Sequence, residues 1–320
     1  MTTENISLSV STEFWFIPTD ILMVSCSSIA VLLSLFSLFI IIVDKACHTV
    51  PMMLTTNTCV AVFIFSSDML ALAIFTLHND LKQIRYQDSL CVFRGILVYI
   101  TVLQQNYSFL CQAIYRYIKV VHSNRLFYQS AKFQGIIIGI SWTFGFVVYG
   151  IPLIVVGNIQ YLVDDQICQQ PMTLSFVMIY NVLLIFLIPS LMTISIYYKL
   201  IVYVKTMNKR SMAVNQVNRA KQELTMLRRI VILNAGFMCI CIPKASMIFI
   251  GYFTSPPKYH YRVSYIFVHI SLIFVMGAIF KFTDQFQNFI MKRIRPQQNL
   301  IAPTLTHSIR TVVVQGPSVS

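Results

Sequence analysis

Residues 91–122 read CVFRGILVYITVLQQNYSFLCQAIYRYIKVVH. From Cys91 to Tyr115 the stretch is apolar, apart from Arg94 near its start and the amides Gln104, Gln105 and Asn106 at its middle. A run of about 20 such residues crosses the hydrocarbon core of a bilayer as a helix. Three amides at that depth cannot all face lipid, where nothing satisfies their hydrogen bonds. At least two must point at neighbouring helices, so this stretch predicts a bundle. The rest of the chain supplies the neighbours: Ile21–Val43, Met52–Leu77, Phe133–Val156, Met172–Tyr198, Ile230–Phe253 and Val263–Phe280. The expected fold is an all-α membrane protein, a seven-transmembrane helix bundle.

Composition agrees. The chain has 320 residues, 57% hydrophobic and 11% charged, against about 25% charged in soluble proteins. Its mean hydropathy is +0.71. Intrinsic disorder and a cytosolic enzyme are excluded. The net charge of +13 does not point to nucleic acid, because basic residues of membrane proteins gather on the cytoplasmic side. With the N-terminus outside, 18 Lys and Arg fall in inner segments and four (Lys82, Arg85, Lys258, Arg262) in outer ones. The expected organisation is an extracellular N-terminus at 1–20, seven spans over 21–281, a membrane-surface helix at 282–295 and a cytoplasmic tail at 296–320. Phe286, Phe289, Ile290 and Ile294 give that surface helix one apolar face toward the inner leaflet. Asn5, in Asn5-Ile6-Ser7, is a glycosylation acceptor on the outer side. Of eight cysteines, only Cys91 and Cys168 fall in outer segments, which leaves one candidate bridge.

Charges within the spans are costly and are functional candidates. Asp68 is the only acid in the seven stretches and is either a core hydrogen-bonding group or a switch site. Lys244 follows Pro243, which should kink the sixth span; it either lines an outer cavity or snorkels to the interface. Arg94 caps the outer rim. His269 reads more simply as a satisfied core histidine than as a ligand contact. No zinc-ligand spacing, Gly-rich phosphate loop or nucleophile elbow is present, so neither catalysis nor a cofactor is expected.

These residues together resemble a divergent rhodopsin-like (class A) G-protein-coupled receptor, over about residues 20–295. Cys91 opens the third span and Arg116 closes it. Tyr115-Arg116-Tyr117 looks like the family's Asp-Arg-Tyr segment. Asp68, Trp142, Pro189, Tyr197, Phe237 and Pro243 match the family's landmarks in spans two, four, five and six. Glu223 stands where many members place an acid that pairs with the arginine. The resemblance implies an Arg116–Glu223 latch, near the surface and worth only about 0–1 kcal/mol. Outward movement of helix six about Pro243 would release it to admit a heterotrimeric G protein. It also implies a Cys91–Cys168 disulfide that holds the loop 157–171 over the cavity mouth, and a plasma-membrane location. Thr304, Thr306, Ser308, Thr311, Ser318 and Ser320 are candidate phosphorylation sites for arrestin, against the plainer reading of a polar tail.

The chain departs from the family pattern at several positions. Tyr115 replaces the acid before the arginine and Cys241 the sixth-span tryptophan. Met276-Gly277-Ala278-Ile279-Phe280 replaces Asn-Pro-x-x-Tyr, with Phe286 six residues after Phe280 as in the family. The first span has no asparagine, and Gln105 and Met276 remove partners of Asp68, so a family-like sodium site is not expected. Val98 stands where amine receptors carry an aspartate, and Ile270 where opsins hold retinal. The extracellular ligand is therefore neither a monoamine nor retinal; Arg94 and Lys244 favour a peptide or a small anion. Two other readings remain: a signalling-deficient decoy or binding protein, and a transporter or channel, which would need a continuous polar path.

Overall fold

The computed structural model describes residues 14–171, 175–209, 214–240, 242–254 and 258–294. In chain order the helices are α1 (Phe16–Val43), α2 (Val50–Lys82), α3 (Cys91–Val121), α4 (Ala131–Val156), α5 (Phe176–Asn208), α6 (Val214–Ile240), α7 (Ile242–Phe253), α8 (His260–Phe282) and α9 (Asp284–Ile294). Five of them (α1, α2, α4, α5 and α8) are long and apolar enough to cross a membrane. The pair Val214–Ile240 and Ala245–Gly251, bent by 49°, makes a sixth if it is one span. The bend falls at Pro243, as its missing N–H requires.

α3 is not among these five because Arg94, Gln104, Gln105, Asn106, Gln112, Arg116 and Lys119 lower its apolar character. It is the interior helix instead. From Ile100 to Ala113 every side chain is buried except the half-buried Tyr107. Gln104, Ser108 and Gln112 find partners on neighbours. Gln104 meets the Ser141 hydroxyl of α4 at 2.9 Å. The Ser108 and Thr58 hydroxyls are 2.8 Å apart, and Gln112 Nε2 donates to Thr58 Oγ1 at 2.9 Å. Trp142 Nε1 donates to Asn57 Oδ1 of α2 at 2.9 Å. Of the central amides only Gln104 bonds another helix: Asn106 Nδ2 donates to the Val102 carbonyl of α3 itself at 3.1 Å, and neither side-chain polar atom of Gln105 has a hydrogen-bond partner among the described residues. On α1 the buried face carries Ser27, Ala30, Ser34 and Ser37. Such small side chains let backbones approach.

Two prolines explain two irregularities. π-Helical turns at Phe144–Gly150 and Val182–Leu187 lie just before Pro152 and Pro189. A proline cannot donate to the carbonyl four residues back and crowds it. The Val148 carbonyl, four before Pro152, accepts instead from the Tyr180 hydroxyl at 3.1 Å.

Between α4 and α5 lies a two-stranded antiparallel hairpin, β1 (Gln160–Leu162) and β2 (Ile167–Gln169), with Tyr161 opposite Cys168. The expected Cys91–Cys168 disulfide is formed, with Cα atoms 5.4 Å apart. Gly95, one turn along α3, is where the hairpin touches the helix. A Cβ there would stand 2.6 Å from the Cys168 carbonyl oxygen and 2.8 Å from Ile159.

The helix ends differ from the sequence expectation. α1 begins at Phe16 rather than Ile21, and α2 runs to Lys82 rather than Leu77. Asp20 and Asp80 are therefore inside helices, and Asp68 is not the only acid these helices carry. Arg262, counted from sequence as an outer-loop charge, is buried in the first turns of α8 at 2% exposure. Its guanidinium reaches Asp80 with both terminal nitrogens, at 2.5 and 3.1 Å. It lies 3.5 Å from Asp20 and 4.0 Å over the Phe16 ring. Its backbone N–H donates to Asp165 Oδ1 at 3.1 Å, and Gln166 Nε2 donates to Asp80 Oδ1 at 2.7 Å. One cation thus joins α1, α2, α8 and the hairpin loop.

Two predictions follow from this end of the molecule. Gly95→Ala forces backbone apart at the hairpin contact and should cost about 1–3 kcal/mol, read as a lowered Tm of the purified protein in detergent. Arg262→Met leaves Asp20 and Asp80 buried without their cation; the expected loss is about 3–5 kcal/mol. The same Tm measurement checks it, and a Tm within error of the parent would refute the network's importance.

Candidate functional site

At the end of the bundle opposite the disulfide, a cavity of about 400 Å³ opens between α2, α3, α6, α8 and the start of α9. Thr58 and Gln112, bonded to each other, line it together with the apolar Met52, Phe109, Ile230, Leu233 and Ile279. Charged residues line it as well: Arg116, Lys119, Arg219, Glu223, Arg229 and Asp284. Arg116 and Lys119 are three residues apart in α3, so helical spacing brings both to one face.

Glu223 of α6 answers both. Arg116 Nη1 lies 3.0 Å from Glu223 Oε2, and Lys119 Nζ lies 2.5 Å from Oε1. The Arg116 and Glu223 side chains keep only 13% and 10% exposure. The pair anticipated from sequence is present, but it is not the weak surface contact expected of it. It is mostly desolvated and carries a second cation. Lys119 was overlooked, although its i, i+3 spacing from Arg116 was readable. Arg229 holds the same helix from the other side. Its Nη1 donates to the Phe282 carbonyl at 3.0 Å and to Asp284 Oδ1 at 3.1 Å. A cation at the end of α8 suits the orphaned carbonyls there. α6 is thus tied to α3 by one carboxylate and to α8 and α9 by one guanidinium.

The remaining candidates fall in different places. Tyr115 is buried with Leu54 and Cys111 against α4 residues Ile137 and Ile138, and Lys119 Nζ lies 5.9 Å from its ring centroid. It therefore fills an apolar contact where an acid would have met Arg116. Tyr117 and Tyr197 are half-buried against the core. The Phe280 ring stacks on Phe36 at 5.8 Å and meets Phe286 at 5.2 Å, which joins α8 to α9. Asp68 is buried, and its Oδ2 has no hydrogen-bond donor among the described residues. Pro243 lies at the α6–α7 bend. Cys241, Asn5 and the tail lie outside the described residues, as does the Lys244 side chain.

The ligand-pocket residues are not gathered at one cavity. Val98 is buried in the core. Arg94 is neutralised by Asp88 and sits 5.2 Å over the Phe75 ring. Buried His269 has its Nδ1 2.7 Å from the Tyr265 carbonyl. It lines a cavity of about 20 Å³ with Thr76, Asp165, Arg262 and Tyr265, which neither Arg94 nor Val98 reaches. Burial pushes the Asp165 carboxyl above its ordinary range, while the Arg262 N–H pulls the other way.

The family model of the 7 transmembrane receptors (rhodopsin family) matches residues 33–278. No curated protein matches the chain. The matched segment runs from within α1 to within α8 and takes in the disulfide, the Arg116–Glu223 contact and the bend at Pro243. It covers well over half of the sequence. The chain is a multi-pass membrane protein that belongs to the rhodopsin family of seven-transmembrane receptors.

Proposed function

We propose that the chain is a plasma-membrane receptor with seven spans, in which α3 and the bent α6–α7 pair each cross the bilayer. The N-terminus is extracellular, the disulfide end faces outward, and the 400 Å³ cavity faces the cytoplasm. α9 lies on the inner leaflet, with Phe286 buried in the bundle and Phe289 packed against it. An extracellular ligand shifts the bundle from a latched to an unlatched state, α6 moves outward about Pro243, and the cavity accepts a heterotrimeric G protein. A phosphorylated tail would then serve arrestin.

The observation that carries this reading is the double engagement of Glu223 by Arg116 and Lys119 beside the cavity. Moving α6 outward separates one carboxylate from two cations and widens the cavity between them. A ligand can drive that change only by binding the unlatched state more tightly. The neutralised Arg94 and Arg262 argue against a pocket tuned to small anions. Lys244, whose side chain lies outside the described residues, keeps a small anion beside a peptide as the favoured ligand classes. The departures at Tyr115, Cys241 and Met276–Phe280 favour the alternative, a receptor fold that binds without signalling.

The test is basal nucleotide exchange on a panel of G-protein α-subunits in membranes that display the chain. Glu223→Gln should raise it about tenfold, because a charge-assisted hydrogen bond contributes about 1.5–3 kcal/mol. Lys119→Ala should raise it less; Arg116→Ala also opens the contact but removes the cation that the G protein would meet in the cavity, and should abolish exchange. No exchange by parent or Glu223→Gln on any subunit, at confirmed surface display, would favour the non-signalling alternative.

A further inference from the structure

Three carboxylates meet one guanidinium at the disulfide end of the bundle. Asp20 of α1, Asp80 of α2, Asp165 of the hairpin loop and Arg262 of α8 all keep at most 3% exposure. The first turn of α1 and the start of α8 close over them. The Phe16 ring lies 4.0 Å from the Arg262 guanidinium and 4.8 Å from the Tyr259 ring. The loop that carries Asp165 is interior too: Gln169 and Gln170 are buried and bonded to Tyr265, Tyr261 and Asn181. A carboxylate in such surroundings is tolerated only where donors or a cation answer it.

The donors are shared unevenly. Asp80 has three: both terminal nitrogens of Arg262, at 2.5 and 3.1 Å, and Gln166 Nε2 at 2.7 Å. Asp165 accepts the Arg262 backbone N–H at 3.1 Å and faces His260. Asp20 receives none. Arg262 Nη1 lies 3.5 Å from Asp20 Oδ1, but its hydrogen bond goes to Asp80, and neither Asp20 oxygen has a donor among the described residues. The Asp20 carboxyl stands instead within hydrogen-bonding reach of the Asp80 carboxyl. Two carboxylates so placed repel in a dry interior; a proton on one turns the contact into a hydrogen bond to the other. Asp80 already answers the guanidinium, so the proton belongs on Asp20.

Among the described residues, the charged groups that face Asp20 are Asp80 from α2 and Arg262 from α8. Tyr161 of β1 lies beyond them beside Asp80, and His260 beside Asp165. Asp20 also precedes residues 33–278, so the site uses a part of the chain that the family match does not include.

We propose that the Asp20–Asp80–Arg262 joint is a proton-binding site, in which Asp20 is held as the neutral acid, donates to Asp80 and so lets the first turn of α1 close on α2 and α8. The ligand is the proton itself, and the site does not depend on the receptor reading. Because the folded chain then binds a proton that the unfolded chain releases, this contribution to stability is present at acid pH and lost as the pH rises.

Infrared spectroscopy of the purified full chain in detergent separates the C=O stretch of a protonated carboxyl from the bands of a carboxylate. Two other buried acids are first removed by Asp68→Asn and Asp165→Asn. In that folded background a protonated-carboxyl band should be present at neutral pH, and adding Asp20→Asn should abolish it. Thermal unfolding gives the second readout. Asn has the shape of the neutral acid and still donates, so Asp20→Asn alone should keep the Tm within about 2 °C of the parent. Asp80→Asn leaves Arg262 buried without its carboxylate and should lower it by about 6 °C or more. Raising the pH should lower the Tm of the parent and of His260→Asn, which removes the nearby titrating ring, more than that of Asp20→Asn. Four results would each overturn the proposal: no band in the background, a band that survives Asp20→Asn, a Tm loss on Asp20→Asn as large as on Asp80→Asn, or the same pH dependence with and without Asp20.

Discussion

A carboxamide inside a bilayer has no water to bond, and this constraint organises the molecule. α3 carries Gln104, Asn106, Ser108 and Gln112 in a stretch that is almost wholly buried. Such groups are satisfied by partners on adjacent helices at the same depth or by the helix's own backbone. Ser141 does this for Gln104, and Thr58 for Ser108 and Gln112, whereas Asn106 turns to the Val102 carbonyl of its own helix and Gln105 has no partner among the described residues. The lipid-facing helices can then be plain and apolar, as α1, α4 and α5 are. The polar helix becomes the axis to which both ends of the bundle are referenced: the disulfide at Cys91 and the charge pair at Arg116 are parts of one rigid element.

The two charge centres differ in a way that suits different tasks. Arg262 is bidentate on Asp80, near Asp20, and all three are at most 2% exposed. Breaking that contact strands charges in a dry interior, so it is a permanent joint. Glu223 and its two cations stand at the edge of a cavity that opens to solvent. Solvent borders these groups, so the contact is not sealed in the dry interior as the Arg262 joint is. Between them, the helices of the α6–α7 pair are bent by 49° across the break that contains Pro243.

Much of this was legible in the residues. The apolar stretches were readable from hydropathy and the Cys91–Cys168 candidate from its two outer positions, while the Arg116–Glu223 contact was legible only through the resemblance to the rhodopsin-like family. The Asp20–Asp80–Arg262 joint was not. Asp80 and Arg262 are 182 residues apart, and hydropathy ends a span where polar residues begin, which is where these helices continue. Arg94 looked like a pocket cation because its neutralising partner, Asp88, lies in the connection before α3 and has no periodic signature. Lys119 was hidden for a different reason. In a basic loop flank one more lysine reads as sidedness, and only the position of Glu223 distinguishes it. The interior loop left no mark at all, since Gln169 and Gln170 are ordinary surface residues by type.

The buried loop also has a consequence for the order of assembly. Its partners on α2 and α3 precede it in the chain, while Asn181, Tyr261 and Tyr265 follow. A segment enclosed on both sides cannot be threaded into a finished bundle without reopening it. The Arg262 joint and the seating of the loop are therefore mutually dependent: the Arg262 N–H holds Asp165, and Asp80, its carboxylate partner, holds Gln166.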